Sequence, residues 1–191
     1  MNKRDDNIYI DKVLQGDTTA FACLVDRYKD MVFTIACRIV KNREDAEEIA
    51  QDAFMKAYGH LENFKGGSRF STWLYSIVYN TAVSRTRKKQ LETYSIDEAV
   101  TETFSPEDSV NQLNMLGNED QKKFIKEAIN RLPGDDASIL TLYYMDECSF
   151  SQLCEITGLE NSNIKIKLHR ARKKLHIELQ QLLKHELKEI L

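Results

Sequence analysis

Two prolines and seven glycines in 191 residues leave little to interrupt long helices. No stretch alternates apolar and polar residues for long enough to make a strand. No apolar run approaches the roughly 18 residues of a membrane span. The opening residues, MNKRDDNIYI, lack the apolar core of a secretion signal. These absences predict an all-α chain that works in the cytoplasm and does not insert into membranes. The four cysteines, Cys23, Cys37, Cys148 and Cys154, form no CxxC pair and have no histidine at finger-like spacing. They are expected to be small, reduced, buried hydrophobes rather than metal ligands.

Catalytic patterns are missing as well. Residues three before the histidines at 60, 169, 176 and 185 are Ala57, Ile166, Lys173 and Leu182, so there is no ExxH pair. The acidic group Glu44, Asp45, Glu47, Glu48 and Asp52 therefore lacks the histidines of a di-iron bundle. FKGGS is too short for a phosphate-binding P-loop and has no GK[ST] ending. The expectation is a protein that is not an enzyme and needs no cofactor or metal.

Charge is abundant but segregated. The net charge of −3 hides a segment, IKIKLHRARKK at 164–174, with six Lys/Arg and no acid. Residues 90–121 carry eight acids and no Lys or Arg. A polyanion meets local stripes rather than the average, so the acidic total does not exclude nucleic acid.

Apolar spacing predicts two helical blocks. In the first, Phe21, Leu24, Val25, Tyr28, Val32, Ile35 and Ile39 recur at helical period, with Asp17 or Thr18 as cap and Asn42 near the end. The next helix carries Ala46, Ile49, Ala50, Ala53, Phe54, Ala57, Tyr58 and Leu61 on one face. After a loop at ENFKGGS, a further helix aligns Phe70, Trp73, Leu74, Ile77, Val78 and Thr81. Residues 91–118 lack a clean period, contain Pro106, and read as a flexible acidic linker. The expected division is thus 1–90, linker 91–118, and 119–191.

The second block ends in a helix-turn-helix pattern. KKFIKEAINRL is amphipathic and is broken at Pro133-Gly134; DDASILTLYYMDE makes a short helix. Ser149 and Gln152 fit a capping box, Gly158 a left-handed cap, and a basic helix starts near Asn161 with Ile164, Leu168, Ala171 and Leu175 inward. On it Lys165, His169, Arg172 and Lys173 share a face, flanked by Lys167 and Arg170. Recognition helices set early residues against base edges and later cations against phosphate. Lys165 and His169 are accordingly expected near bases, and Arg170, Arg172 and Lys173 near backbone.

RFSTWLYSIVYN, 69–80, gathers the chain's one tryptophan with Phe70, Tyr75 and Tyr79, and runs into the cations Arg85, Arg87, Lys88 and Lys89. Two segments together carry a resemblance. DAEEIAQDAFMKAYGHLENFKGGSRFSTWLYSIVYNTAVSRTRKK resembles the second region of bacterial RNA polymerase sigma factors. LPGDDASILTLYYMDECSFSQLCEITGLENSNIKIKLHRARKKL resembles their fourth region. The pair on a short linker is similar to the extracytoplasmic-function (ECF) group, and the likeness covers about residues 8 to 180.

The resemblance implies a monomeric initiation factor whose partners are core RNA polymerase and promoter DNA. It places Glu48, Gln51 and Asp52 on polymerase. It implies that Phe64, the loop Lys65-Gly66-Gly67-Ser68-Arg69, Tyr75, Tyr79 and Asn80 capture unpaired bases of the minus-ten element, where rings offer stacking faces. Arg85, Arg87, Lys88 and Lys89 would grip phosphates upstream, and Trp73 reads as core. The six basic-helix residues would hold the minus-thirty-five duplex. Many members of the group are held inactive by an anti-sigma protein, so such a partner is allowed for.

The likeness has departures. The recognition helix begins Glu160-Asn161-Ser162-Asn163, where the family favours small hydroxyl-bearing or glycine residues, and Ile166 stands where a small residue is common. Glu160 would repel phosphate; Ile166 suits either a thymine methyl or protein. The rival reading is a helix-turn-helix regulator that binds duplex DNA without polymerase, which would not need the aromatic, basic first block.

Overall fold

A computed structural model describes the backbone of residues 3–90 and 118–190, and the side chains of residues 6–87 and 122–183. Every regular element among them is helical. The N-terminal half comprises α1 (Lys3–Leu14), α2 (Ala20–Val40), α3 (Arg43–Gly59), a 3-10 turn (Leu61–Asn63) and α4 (Phe70–Gln90). The C-terminal half comprises α5 (Asn118–Arg131), α6 (Gly134–Tyr144), α7 (Phe150–Thr157) and α8 (Asn161–Ile190). The acidic linker expected at 91–118 lies outside the described residues, except for Asn118, which begins α5.

Local chemistry sets most helix ends. Neither Asp17 nor Thr18 caps α2: the Asp17 carboxylate is taken up by the Thr19 amide at 3.1 Å and the Thr19 hydroxyl at 2.6 Å. That local turn leaves Thr19 as the first boundary residue without a side-chain cap. Lys41, in the left-handed region at φ 57, closes α2, and the Asn42 side chain then accepts the Asp45 amide proton at 2.9 Å to start α3. ENFKGGS is only partly loop, because the 3-10 turn takes its first two residues. Ser149 and Gln152 form the reciprocal capping box of α7, and Gly158 ends that helix at φ 72, a conformation glycine adopts without steric cost.

The expected inner stripes are buried at Phe21, Leu24, Tyr28, Val32, Ile35 and Ile39 on α2 and at Ile164, Leu168 and Ala171 on α8, with Val25 and Leu175 only half-buried. On α3 the stripe stops short, since Tyr58 is exposed and meets Phe21 edge-on at 5.1 Å. The cysteines divide: Cys148 is buried, Cys37 and Cys154 are half-buried, and Cys23 is exposed, contrary to expectation. Burial pushes the Cys148 thiol up to about 12, so it is unreactive where it sits.

The halves do not stand apart. One continuous core runs from Leu24 and Leu74 through Ile139 and Leu153 to Leu168, while a second small cluster of Ala128, Leu179 and Leu182 ties α5 to the far part of α8. Along the seam α2 and α4 lie against α6 and α7. Lys41 Nζ donates to the Asn130 carbonyl at 2.7 Å, and Gln152 Nε2 donates to Thr72 Oγ1 at 3.1 Å. Arg38, only 6 % exposed, donates to Asn130 Oδ1 through Nη1, while its Nε has no partner among the described residues. Loss of hydration lowers the pKa of this guanidinium, an effect that disfavours the charge.

Candidate nucleic-acid interface

The helix-turn-helix is formed by α7, the turn at Gly158, and α8. Packing of Ile164, Leu168 and Ala171 against α6 and α7 turns the opposite side of α8 outward. Lys165, His169, Arg170 and Lys173 are all exposed on that side, where a phosphate can reach them. Lys167 is half-buried and already holds Asp135, Nζ to Oδ2 at 2.9 Å. Lys174, outside the sequence-based set, likewise holds Asp136 at 2.8 Å. Arg172 lies over two rings, 5.2 Å from Tyr143 and 5.6 Å from Tyr144. A guanidinium stacked this way keeps its edge donors for a ligand while its face stays on the protein. The six basic candidates therefore split into four open side chains and two anchored ones.

The aromatic helix behaves differently. Phe64, Phe70 and Trp73 form a mutual cluster with centroids 5.4 to 5.8 Å apart, and Tyr28 meets Phe70 at 5.7 Å. Phe70 is buried, whereas Phe64 and Trp73 are half-buried and keep partly open faces. Trp73 thus belongs to the edge of the core. Beside them Lys65, Gly67, Arg69 and Asn80 are exposed, and Ser68 is half-buried. Loop and ring edges thus lie together on one stretch of surface.

Tyr75 and Tyr79 do not join that surface. They are 1 % and 5 % exposed, because α4 is buried on two faces and the second is covered by the C-terminal half. The Tyr75 hydroxyl faces Asp146 Oδ1 at a long 3.4 Å, and Cys148 donates to the other oxygen at 3.7 Å. Burial, then the field of Asp146, drives the Tyr75 phenol far above its ordinary value. Burial followed by the field of Asp135 does the same for Tyr79. In this arrangement both rings are covered, so the stacking expected of them needs the C-terminal half to move away. The sequence held a signal: apolar residues run around α4 rather than along one side, and such a helix is buried on more than one face.

The cations after the rings are also partly engaged. Arg85 Nη2 pairs with Glu48 Oε1 at 2.5 Å across α3 and α4, and both side chains are well exposed. Solvent screens a pair this open, so either partner is readily drawn away by a stronger ligand. Arg87 is exposed, and the Lys88 side chain lies outside the described residues. On α3, Glu48 and Gln51 face solvent and Asp52 is half-buried; exposed Met55 and Tyr58 continue the same face. No group of His, Cys, Asp and Glu among the described residues is arranged to hold a metal, and no described helix is long and apolar enough to cross a membrane.

Comparison with known proteins agrees with this two-part surface. Residues 24–92 match the family model for Sigma-70 region 2, and residues 125–175 match that for Sigma-70 region 4. The chain is 35 % identical to the ECF RNA polymerase sigma factor SigW of Bacillus subtilis over 185 residues, covering 91 % of this chain and 96 % of that protein. It is 31 % identical to the RNA polymerase sigma-H factor of Pseudomonas aeruginosa, covering 96 % and 98 %. Among solved structures it resembles CnrH in complex with the cytosolic domain of CnrY, with a TM-score of 0.62 at 20 % identity over 92 % of this chain and 97 % of that one. The sigma factor RpoE in complex with the anti-sigma factor NepR from Bartonella quintana gives a TM-score of 0.58 at 23 % identity, over 84 % and 96 %. These two likenesses establish the fold.

A helix-turn-helix with an open basic side, beside an aromatic, basic helix, is the make-up of a promoter-recognition protein. The chain belongs to the ECF sigma factors of bacterial RNA polymerase. As such it directs polymerase to promoters for initiation, and the region 2 match sets aside the duplex-only regulator.

Proposed function

We propose that the chain divides its labour between residues 1–90, which dock on core polymerase and hold the opened minus-ten strand, and residues 119–191, which hold the minus-thirty-five duplex. Glu48, Gln51 and Asp52 contact polymerase. Phe64, Trp73 and the loop 65–69 receive extruded bases, with Asn80, Arg85 and Arg87 on the strand beyond. The chain itself makes and breaks no bonds; it acts in the cytoplasm as a monomer until polymerase binds.

The observation that carries this reading is an asymmetry of access. The outward side of α8 is open, whereas Tyr75 and Tyr79 lie beneath α6 and α7. A free chain in this form can approach duplex DNA but cannot present its full aromatic face to a single strand. Engagement of α3 by polymerase parts the halves and uncovers that face. An anti-sigma partner that prefers the closed form would oppose the step by mass action.

Reconstitution with core polymerase tests the scheme. Asn80→Ala and Arg87→Ala alter exposed side chains, so folding should be kept. Both should slow promoter opening, read by permanganate reactivity of unpaired thymines, while duplex binding changes less than twofold. Equal losses in opening and in duplex binding would sink the division.

A further inference from the structure

Ile166 is 51 % exposed at the centre of the DNA-facing side of α8. The helix period sets it away from Ile164, Leu168 and Ala171, which are buried. Its neighbours on the helix surface are Ser162 and Asn163 one turn before, and His169 and Arg170 one turn after. All four are polar and exposed. Ile166 also walls a depression that includes half-buried Leu159, with Asn163, Lys167, Arg170 and the Lys174–Asp136 ion pair around it. A single branched apolar side chain inside a polar, cationic ring has no reason in packing to be there. Its stiff χ1 presents two methyl-bearing arms with little rotamer freedom left to lose.

Major-groove chemistry supplies a matching group. Phosphates answer the surrounding cations, and among base edges only thymine offers a methyl for apolar contact. We propose that Ile166 reads the 5-methyl group of a thymine in the minus-thirty-five duplex, making it a specificity-determining residue of this particular chain. The inference rests on the proposed contact of α8 with that duplex.

The experiment uses the full chain with core polymerase and a promoter selected by that holoenzyme from a random duplex pool. Each thymine of the minus-thirty-five element is replaced in turn by deoxyuridine, which removes only the methyl. At one position the wild-type affinity should fall by about fivefold, the worth of one buried methyl. Ile166→Ser should bind the thymine duplex about fivefold more weakly and show no further loss with deoxyuridine there, the non-additivity of a direct contact. Its melting temperature and salt dependence should match wild type, since the side chain is exposed and uncharged.

The proposal is overturned if wild type ignores every methyl, or if the variant and wild type lose the same factor at each position. It is equally overturned if Ile166→Ser weakens only the affinity for polymerase, which would make the residue a protein contact. Scrambling the whole element separates the layers: no effect rejects the contact of α8 with this duplex, whereas a large effect without methyl sensitivity rejects only the role of Ile166.

Discussion

Gly134 meets Ile39 backbone to backbone: a Cβ on the glycine would stand 2.6 Å from the Ile39 carbonyl oxygen and 2.9 Å from that of Arg38. The start of α6 can lie against the end of α2 only because this residue has no side chain. Neither obstacle is the tip of a flexible side chain, so no rotamer change relieves the clash.

Gly134→Ala should therefore force the seam apart at a cost of about 1–3 kcal/mol to the closed form. Solution X-ray scattering of the free protein should give a larger radius of gyration. Single-stranded minus-ten DNA should also bind more tightly once Tyr75 and Tyr79 are uncovered. An unchanged scattering curve would mean that the closed form is not the one populated in solution.

Asp146 should make closure depend on pH. Burial raises its pKa from the ordinary 3.8, against the opposing hydrogen bonds from Cys148 and Tyr75. The closed form thus holds the proton at a pH where the open or unfolded chain has released it. Stability is greatest on the acid side of that window, falls as pH rises through the raised value, and is flat above it. Asp146→Asn keeps an oxygen for Tyr75 and carries no charge to bury. It should raise the melting temperature at neutral pH and flatten the fall in stability on the alkaline side of the ordinary carboxylate range, measured by calorimetry; a slope equal to wild type would show that another group titrates.

The cations of α8 should be unequal. Arg170→Ala should reduce the salt slope of duplex binding by about 0.9, one phosphate. Lys167→Ala should reduce it by less, because Asp135 already holds that ammonium at 2.9 Å. Asp135→Asn should free Lys167 and steepen the slope. Identical slopes for the two lysine and arginine variants would show that the ion pair does not persist on DNA.

What the sequence disclosed follows the range of the forces involved. The capping box at Ser149 and Gln152, the turn at Gly158 and the inner stripe of α8 depend on residues a few positions apart, and each was legible. The start of α2 was not, because Asp17 had an equally local competitor two residues on in Thr19. The covering of Tyr75 and Tyr79 is hidden from the sequence for a different reason. Their cover comes from residues such as Asp146, 71 positions away from Tyr75, and helical period says nothing about such partners. The split of the cations on α8 was hidden in the same way, since Asp135 and Tyr143 lie on another helix.

Arg38 gives the closed form an internal tension. Taking a guanidinium out of water costs several kcal/mol, and here one neutral amide oxygen answers it while Nε has no partner among the described residues. Parting the halves would rehydrate that ion and so lower the cost of any step that separates them. Each tenfold preference of a ligand for the parted form moves the balance by about 1.4 kcal/mol. This buried ion thus makes the seam easier to undo than its apolar contacts alone would make it.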